Sequence, residues 1–429
     1  MNKPKSTPYI VYCDNNGNLF EDTNYEAVGR VGNTIIRLKP EDFIELPEGS
    51  DFFFLKDRNP VGYDLKINKI TTIKKRHGAA AFISPAYTQT YLTAFERSAK
   101  SPTLPLYAYS VLGWLDDKFY TCAVRIDNDI RQDCDQFNQK QIEKNVKVFK
   151  KKYPKNRLVN HLSYCALTYF CPAARNYFMN RWEAPLPTSP TCNSNCLGCI
   201  SYQPKANEIV STQNRITFTP TPQEIAEIAI EHLNTAPNPI VSFGQGCEGE
   251  PLMVWQTLKE AIILIRKQTQ NGIINLNTNG SKPEAIEELC KAGIDSFRIS
   301  MNSVRKELYN KYYKPKNYKF EDVIESISIA RKYNKWVSIN YFVSPGITDD
   351  TEEASVLYKL IEKTGLNMIQ WRNFNIDPDW FYETLKITPS ENLIGVDTLI
   401  QNISSKFPHI YSGYFNPGKE IIEARINLK

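Results

Sequence analysis

The sequence lacks any apolar run that could cross a bilayer, because its longest uncharged hydrophobic stretches fall well short of the roughly eighteen residues that a span requires. No basic segment followed by an apolar one opens the chain, and Met1–Thr7 is polar. We therefore expect a cytoplasmic protein and neither a secreted nor a membrane one. Internal repeats longer than a strand–helix unit and low-complexity segments are also missing. Hydrophobic residues make up 41% of the 429-residue chain, which excludes disorder throughout.

The chain also lacks a large net charge, but its positive and negative residues are unevenly distributed along the sequence. The formal net charge is +5; residues 1–185 hold 27 Lys and Arg against 20 Asp and Glu, and the remainder holds 25 against 27. The basic excess lies in Lys74–Arg76 and in Lys144, Lys147, Lys150, Lys151, Lys152, Lys155 and Arg157. Such a run is either a solvated helix face or a docking surface for nucleic acid or an acidic protein.

Ten cysteines are present, and without a leader segment they indicate free thiols or metal ligands in a reducing compartment. Three of them fall within eight residues, at positions 192, 196 and 199. Whether Cys122, Cys134, Cys165 and Cys171 hold a second metal is left open, with buried free thiols as the default. Cys247 is either a residue on the substrate side of a site or a small packed side chain.

Residues 1–182 are predicted to form an N-terminal module that is β-rich and then helical, and that is a candidate docking region for substrate or partner. Short β-branched or aromatic runs separated by turn residues predict its strands. Helical periodicity covers Gln139–Lys151 and Arg157–Phe170. Pro172 is expected to end or kink the second helix, because proline lacks the backbone N–H.

From residue 183 to 375 the pattern is a regular alternation of strands and helices. The predicted strands are Pro239–Gly246, Gly272–Asn279, Ser296–Asn302, Trp336–Ser344 and Met368–Asn375. The predicted amphipathic helices are Gln223–Asn234, Val254–Thr269, Pro283–Ala292, Phe320–Asn334 and Asp350–Thr364. This alternation predicts an α/β fold with a parallel sheet, whose chemistry lies at the carboxyl ends of its strands. After Ile376 the alternation is expected to stop, leaving residues 376–429 as a C-terminal extension and candidate lid.

The cysteine cluster Cys192-Asn-Ser-Asn-Cys196-Leu-Gly-Cys199 can wrap one compact metal centre from a single loop. Thiolate ligands favour zinc or iron–sulfur. A structural zinc site needs a fourth ligand, and none lies nearby in sequence. Three ligands therefore leave one metal position open, as a catalytic centre requires.

The CxxxCxxC spacing, at the mouth of a strand–helix alternating domain, resembles that of the radical S-adenosylmethionine (SAM) superfamily. The resemblance covers about Glu183 to Asn375 and implies a partial (β/α)6 barrel of the TIM-barrel-like type. It also implies that Cys192, Cys196 and Cys199 hold a [4Fe–4S] cluster whose fourth iron is chelated by SAM.

Three more segments match the family at strand ends. Gly249, Glu250 and Pro251 are similar to its Gly-Gly-Glu-Pro element, with Glu248 in place of the first Gly, which implies that this turn binds the SAM ammonium. The segment ending in Thr278 and Asn279 resembles its Thr-Asn-Gly strand end. The resemblance further implies that Ser300 and Asn302, on the next strand, contact the SAM ribose or carboxylate. Arg298, on the same face, is expected to be a structural ion-pair partner.

One departure from the family concerns the adenine. Many members carry an aromatic residue just before the last cysteine, and this chain has Gly198 there. Ile200 or Tyr202 is expected to cover the adenine instead.

The resemblance implies reductive cleavage of SAM to a 5′-deoxyadenosyl radical, which abstracts hydrogen from a peptide, protein or small-metabolite substrate, with flavodoxin or ferredoxin as reductant. Two alternatives stay open: a radical SAM enzyme that modifies RNA, with the basic module as its platform, and a zinc or iron–sulfur scaffold without chemistry. Arg372 and Asn340 either point into the barrel or are satisfied within it. Residues 377–380 form either a lid or a turn.

Overall fold

The computed structural model describes residues 3–130 and 137–428. The β-rich module predicted at the N-terminus is present, as a twelve-stranded antiparallel sheet followed by a two-stranded one. Its strands are β1 (Tyr9–Cys13), β2 (Leu19–Val31), β3 (Thr34–Arg37), β4 (Ile44–Glu45), β5 (Asp51–Leu55), β6 (Arg58–Asp64), β7 (Lys69–Thr72), β8 (His77–Phe82), β9 (Tyr87–Gln89), β10 (Leu92–Thr93), β11 (Phe95–Arg97), β12 (Gly113–Leu115), β13 (Lys118–Thr121) and β14 (Ala123–Arg125). The backbone of the larger sheet runs in the order β11-β6-β2-β1-β12-β13-β4.

Three helices follow, α1 (Gln139–Lys152), α2 (Arg157–Thr168) and α3 (Pro172–Phe178). The first two confirm the predicted periodicity, and the side chain of Asn156 caps α2 by accepting hydrogen bonds from two backbone amides. The expectation for Pro172 is wrong, because α2 has already ended and Pro172 is the first residue of α3. Proline suits that position, where its missing N–H would have no helical partner.

The second part of the chain forms a seven-stranded parallel sheet, in which the strands follow one another in sequence order. They are β15 (Glu183–Pro185), β16 (Ile240–Phe243), β17 (Ile273–Thr278), β18 (Ser296–Met301), β19 (Trp336–Val343), β20 (Met368–Asn373) and β21 (Tyr411–Gly413). β16 and β17 are buried along their whole length, as a sheet covered on both faces requires. The predicted partial barrel is confirmed.

Helices cover the outer face of this sheet and its ends. They are α4 (Pro222–Thr235), α5 (Trp255–Gln268), α6 (Pro283–Ala292), α7 (Lys306–Tyr313), α8 (Phe320–Lys332), α9 (Thr351–Thr364), α10 (Pro378–Leu385), α11 (Val396–Lys406) and α12 (Lys419–Arg425). Every predicted helix is found within two residues of its predicted ends. Among the described helices, none is both long and apolar enough to span a membrane.

The alternation does not stop at Ile376 as predicted, because β21 adds a further strand beside β20. The edge strands β15 and β21 have three residues each, and β15 ends in proline, so neither carries the periodicity that identifies a strand. The domain boundaries at residues 182 and 375 stay predictions.

The N-terminal module contacts the carboxyl end of β20 directly. The backbone N–H of Gln89, at the end of β9, donates to the side-chain oxygen of Asn373 at 2.7 Å. The hydroxyl of Thr88 donates to the carbonyl of Trp371 at 2.8 Å. The antiparallel module therefore lies against the edge at which a parallel sheet places its ligands.

Candidate cofactor site

The three clustered cysteines lie on one loop between β15 and α4, and hydrogen bonds to α7 fix its path. The N–H of Asn195 donates to the carbonyl of Tyr313 at 2.9 Å, and that of Leu197 donates to the carbonyl of Tyr312 at 3.0 Å. These bonds satisfy two carbonyls that the end of a helix leaves without intrahelical partners. The conformation of the loop thus depends on a helix more than a hundred residues further along the chain.

The same loop is joined to the Gly-Glu-Pro turn that follows β16. The N–H of Gly249 donates to the carbonyl of Ser189 at 2.6 Å, and the N–H of Glu250 donates to the carbonyl of Thr191 at 2.8 Å. A Cβ atom on Gly249 would lie 2.0 Å from the carbonyl oxygen of Thr191, so only glycine permits this approach. The structure therefore brings together the cysteine loop and the turn that sequence reasoning assigned to one site.

The thiols of this loop are only partly exposed, and burial raises the pKa of Cys192 to about 11. The pKa of Cys196 is also raised, first by burial and then by the neighbouring Cys199 and Cys192. Two donors oppose this cost: the N–H of Ser194 lies 3.4 Å from the sulfur of Cys192, and a guanidinium nitrogen of Arg215 lies 3.5 Å from that of Cys199. Three thiolates so placed need cationic metal to be stable.

The spacing of these sulfurs discriminates between kinds of metal centre. Within the described part of the chain, the cysteine-loop thiols do not form a set with all sulfurs within 4.8 Å of one another. Around a single tetrahedral zinc ion, by contrast, two thiolate sulfurs are about 3.8 Å apart, given zinc–sulfur bonds of about 2.3 Å. The three sulfurs are therefore not spaced as the ligands of a single zinc ion.

Glu250, in the Gly-Glu-Pro turn, is buried and uses its carboxylate to hold the end of β17. It accepts a hydrogen bond from the hydroxyl of Thr278, one from the N–H of Asn279 at 2.8 Å and one from the N–H of Leu252 at 3.0 Å. Burial raises the pKa of this carboxyl to about 7, and these hydrogen bonds oppose the shift. Pro251 begins the 3₁₀ turn that follows.

Glu248 occupies the first glycine position of the family element. Its carboxylate is buried, and both oxygens accept hydrogen bonds from the chain itself. One carboxylate oxygen accepts from the N–H groups of Gly244 and Gln245, both at 2.7 Å. The other accepts from the N–H of Thr188 at 2.7 Å, that of Ser189 at 2.9 Å and the hydroxyl of Thr188. This side chain ties the segment before the cysteine loop to the loop after β16. Its contact with SAM stays a prediction.

The amide of Asn279 connects the end of β17 to the cysteine loop. Its Nδ2 donates to the side-chain oxygen of Asn193 at 2.8 Å and to the hydroxyl of Ser194 at 3.0 Å. That hydroxyl also lies 2.8 Å from the phenol oxygen of Tyr318. Asn193, Ser194 and Tyr318 were not singled out by sequence reasoning, since Asn and Ser in a loop and Tyr after a helix carry no distinctive spacing.

Ser300 lies two residues after Arg298 on β18, and Asn302 directly follows the strand, so that their contact with SAM stays a prediction. Asn302 is buried, and its side-chain oxygen has no hydrogen-bond partner among the described residues. Among the described residues, Arg298 has no carboxylate within ion-pair distance, so the expected ion pair is not found. Its guanidinium donates to the side-chain oxygen of Gln370 at 3.1 Å, and burial, followed by the charge of Arg372, lowers its pKa to about 10.

Two more polar side chains lie on the next two strands, Asn340 on β19 and Arg372 on β20. Arg372 donates to the carbonyl of Tyr414 at 3.0 Å and lies over that ring, 4.1 Å from its centroid. The side-chain oxygen of Asn340 is buried and has no hydrogen-bond partner among the described residues. Asn340 pairs in register with Ser300 on one side and Gln370 on the other. A buried side-chain oxygen without a protein donor is a position at which a ligand is expected to donate a hydrogen bond.

The space opposite Gly198 is already filled. A Cβ atom there would lie 2.6 Å from Cδ1 of Ile376 and 2.8 Å from the hydroxyl of Tyr312. This explains why the position lacks the aromatic residue that many relatives of the resembled family carry. Ile200 is half-buried and Tyr202 is 54% exposed, and a role for either over the adenine stays a prediction.

Comparison with known proteins matches residues 186–357 to the Radical SAM superfamily. A probable GTP 3',8-cyclase from Thermococcus kodakarensis is 35% identical over 104 residues, which are 24% of this chain and 32% of that protein. The chain thus matches about a third of the length of this curated relative.

Among solved structures, Streptococcus suis SuiB bound to the precursor peptide SuiA is 14% identical, with a TM-score of 0.39, over 61% of this chain and 59% of that chain. Methylornithine synthase PylB is 15% identical, with a TM-score of 0.39, over 64% of this chain and 74% of that chain.

Proposed function

We propose that this chain, whose residues 186–357 match the Radical SAM superfamily, binds a [4Fe–4S] cluster and SAM, cleaves SAM reductively and acts on a substrate that carries an anionic group. When bound, these cofactors supply a 5′-deoxyadenosyl radical that abstracts a hydrogen atom from the substrate. The observation that carries the proposal is the junction of the cysteine loop with the Gly-Glu-Pro turn, through the backbone bonds of Gly249 and Glu250.

In this proposal Cys192, Cys196 and Cys199 hold the cluster, and Arg215 stabilises the negative charge of the ligated sulfur of Cys199. The turn of Gly249 and its neighbours receives the SAM ammonium, whose transfer out of water requires acceptors aimed at it beforehand.

Aromatic side chains close the loop side of this site. Tyr309, Tyr312, Tyr313 and Tyr318 are buried, and the rings of Tyr309 and Tyr313 stack with centroids 4.4 Å apart. These rings exclude water from the cysteine loop, which protects a reactive radical from side reactions. Their hydroxyls remain protonated, since burial raises the pKa of the phenols.

The anionic substrate group is inferred from two arginines inside the sheet. Burial lowers the pKa of Arg298, the positive charge of Arg372 lowers it further, and Glu183 opposes the shift. Arg372 shares a strand face with Gln370, the partner of Arg298, because residues two apart point to the same side. A carboxylate or phosphate between the two guanidiniums would relieve the repulsion and accept bidentate hydrogen bonds. The nucleotide named for the Thermococcus relative has such groups, as do peptides and amino acids.

The RNA-modifying alternative rests on the basic stretch of the N-terminal helices. Two of its cations are already engaged: Lys152 lies 2.6 Å from Glu231, and Arg157 lies 2.6 Å from Glu224, both on α4. These pairs support a role in docking α1 and α2 onto the barrel. Of the two non-catalytic scaffolds, the zinc form is disfavoured by the spacing of the cysteine sulfurs.

Anaerobic reconstitution with iron and sulfide tests the proposal. We expect about four irons per chain, a broad visible absorption and release of 5′-deoxyadenosine from SAM on reduction, whether by dithionite or by a flavodoxin or ferredoxin. The triple variant C192A/C196A/C199A should lose all three signals, and C290A, which removes a buried cysteine on α6, should keep them. Iron binding without any cleavage of SAM would refute the proposed activity.

A further inference from the structure

A second set of metal-ligating side chains lies outside the cysteine loop. His161 and Cys165 are on α2, and Cys247 lies in the loop before the Gly-Glu-Pro turn. Each of the three offers one ligand atom, and these atoms all lie within 4.8 Å of one another. Among the described residues, no other group of three or more His, Cys, Asp or Glu side chains meets this spacing. Both cysteines are buried and the histidine is half-buried.

The helix places two of these ligands together. His161 and Cys165 are four residues apart, so they lie on one face of α2 as neighbours. Nε2 of His161 is 3.6 Å from the sulfur of Cys165. A tetrahedral zinc ion with bonds of about 2.3 Å to sulfur and about 2.05 Å to nitrogen separates these two atoms by about 3.6 Å. The spacing already matches one edge of a mononuclear site.

The third ligand comes from the barrel and completes the donor set. Cys247 is the ligand that the barrel adds, and its sulfur lies within 4.8 Å of the ligand atoms of Cys165 and His161. Two sulfurs and one imidazole form a donor set that zinc prefers. Zinc would displace the protons of the two thiols to solvent, leaving both sulfurs as thiolates.

Cys171 lies near these ligands in the chain but is not part of the group whose ligand atoms lie within 4.8 Å of one another. Its backbone N–H donates to the carbonyl of Cys165 at 3.1 Å, just after α2 ends. The sequence grouping of Cys165 and Cys171 with Cys122 and Cys134 does not hold for Cys122, which is buried in a separate core beside Phe43 and Val111. Cys134 lies outside the described residues.

We infer that His161, Cys165 and Cys247 form a binding site for a single zinc ion, separate from the cluster, that joins the helices of the N-terminal module to the turn proposed to bind SAM. The neighbours of Cys247 explain why a metal ion at this position would stabilise the turn. Its carbonyl accepts from the N–H of Ile216 at 2.7 Å, and the next residue is Glu248, which holds the loop ends together. A zinc ion here would fix the turn from its outer side.

Parallel measurement of zinc and iron in the full-length protein, purified anaerobically with reductant from zinc-supplemented medium, tests this inference. We expect about one zinc per chain in the wild type, in the control C290A and in the cluster variant C192A/C196A/C199A. The variant C165A/C247A should lose the zinc, and H161A should bind it at least tenfold more weakly in competition with a chelator. Because the cluster variant keeps zinc and loses iron, the two assignments succeed or fail independently.

Cobalt(II) provides a spectroscopic measurement of the same site. Added to the metal-stripped cluster variant C192A/C196A/C199A, whose cysteine loop can no longer bind metal, it should give the visible bands of a tetrahedral ion with thiolate ligands, and zinc should abolish them. Equal zinc in wild type and C165A/C247A would mean an adventitious ion only. Iron bound in place of zinc would also overturn the inference. So would a thiol count that is two short because Cys165 and Cys247 form a disulfide under these reducing conditions.

Discussion

The guanidinium of Arg58, on β6, lies 2.7 Å from the carboxylate of Asp377, at the start of α10, and both side chains are fully buried. The carboxylate also accepts from the N–H of Leu104 at 3.0 Å and caps α10 through the N–H of Asp379. A buried ion pair therefore joins the antiparallel module to the helix that follows β20. Residues 377–380 form the start of this helix and not a simple turn, and a role as a lid stays a prediction.

Breaking this pair should destabilise the protein strongly. R58M leaves a buried carboxylate without its cation, which costs about 3–5 kcal/mol. The double variant R58M/D377N should lose less than R58M, because no unpaired charge remains. Urea midpoints measured by circular dichroism test this order.

The pair of Arg97 and Glu383 provides the matched control for this experiment. It also joins the module to α10, at 2.9 Å, but its side chains are 37% and 59% exposed. R97A should therefore cost less than about 1 kcal/mol. Equal losses for R58M and R97A would show that burial of the Arg58 pair contributes nothing.

Replacement of Glu248 by glutamine should loosen the cysteine loop. The carboxylate accepts four backbone N–H bonds, and an amide offers one oxygen and presents its NH₂ group to the remaining donors. We expect a loss of about 3 kcal/mol and a lower iron content after reconstitution. The control E260Q changes an exposed residue of α5 and should alter neither quantity. Unchanged melting temperature and iron content in E248Q would contradict this role.

Acid should destabilise the protein through His232, on α4. This side chain is buried and its Nε2 lies 2.9 Å from the carbonyl of Trp182, and burial lowers its pKa from 6.5 to about 4. The folded state therefore binds the proton less readily than the unfolded chain, and stability falls as pH decreases from about 6.5 to 4, by about 3 kcal/mol.

Unfolding curves at several pH values measure this contribution as the difference between wild type and H232Q. The difference between the two proteins should shrink as the pH is lowered, because H232Q has no group that titrates in this window. The partly exposed His409 provides the control, and H409Q should change the acid response less. A constant difference between wild type and H232Q across pH would contradict the burial effect.

Adding a methyl group at Gly198 should disturb the cluster loop. In G198A the new Cβ meets Cδ1 of Ile376 and the hydroxyl of Tyr312, and such overpacking costs about 1–3 kcal/mol. I376V removes the Cδ1 atom, so G198A/I376V should regain part of the melting temperature and iron content. G418A is a control, because the nearest atom to its Cβ is 3.9 Å away. A G198A variant as stable as wild type would show that this space is not constrained.

Small anions should bind between Arg298 and Arg372 if the proposed substrate class is right. Inorganic phosphate or citrate should raise the melting temperature of wild type, and R372Q or R298M should lose at least half of that increase. R331Q, which alters an arginine at the end of α8, should respond to anions as wild type does. An increase that persists in R372Q and R298M would point to binding elsewhere.

The parallel sheet could be predicted because its central strands are uninterrupted apolar runs bounded by turn residues. β17, for example, is buried at every position, and its predicted ends are each one residue beyond the observed ones. The edge strands β15 and β21 could not be predicted, since they are defined by pairing with a neighbour and not by their own three residues.

The candidate site, too, could be predicted from the sequence only in part. The spacing of Cys192, Cys196 and Cys199 predicted a metal loop, because ligands on one loop are close in sequence as well as in space. The approach of Cys247 to Cys165 has no such signal, since it depends on how α2 packs against the barrel. The hydrogen bond of Arg298 to Gln370, likewise, follows from a register between strands that the sequence does not display.

The dependence of the cysteine loop on α7 has a consequence for biogenesis. Lys316, just beyond α7, donates its N–H to the carbonyl of Asn193, and Tyr312 and Tyr313 hold the loop from the same side. The ribosome synthesises the three cysteines long before it reaches these supports. Iron is therefore expected to be delivered to a finished domain and not to a nascent chain, and a fragment that ends ahead of α7 should emerge without the means to retain it.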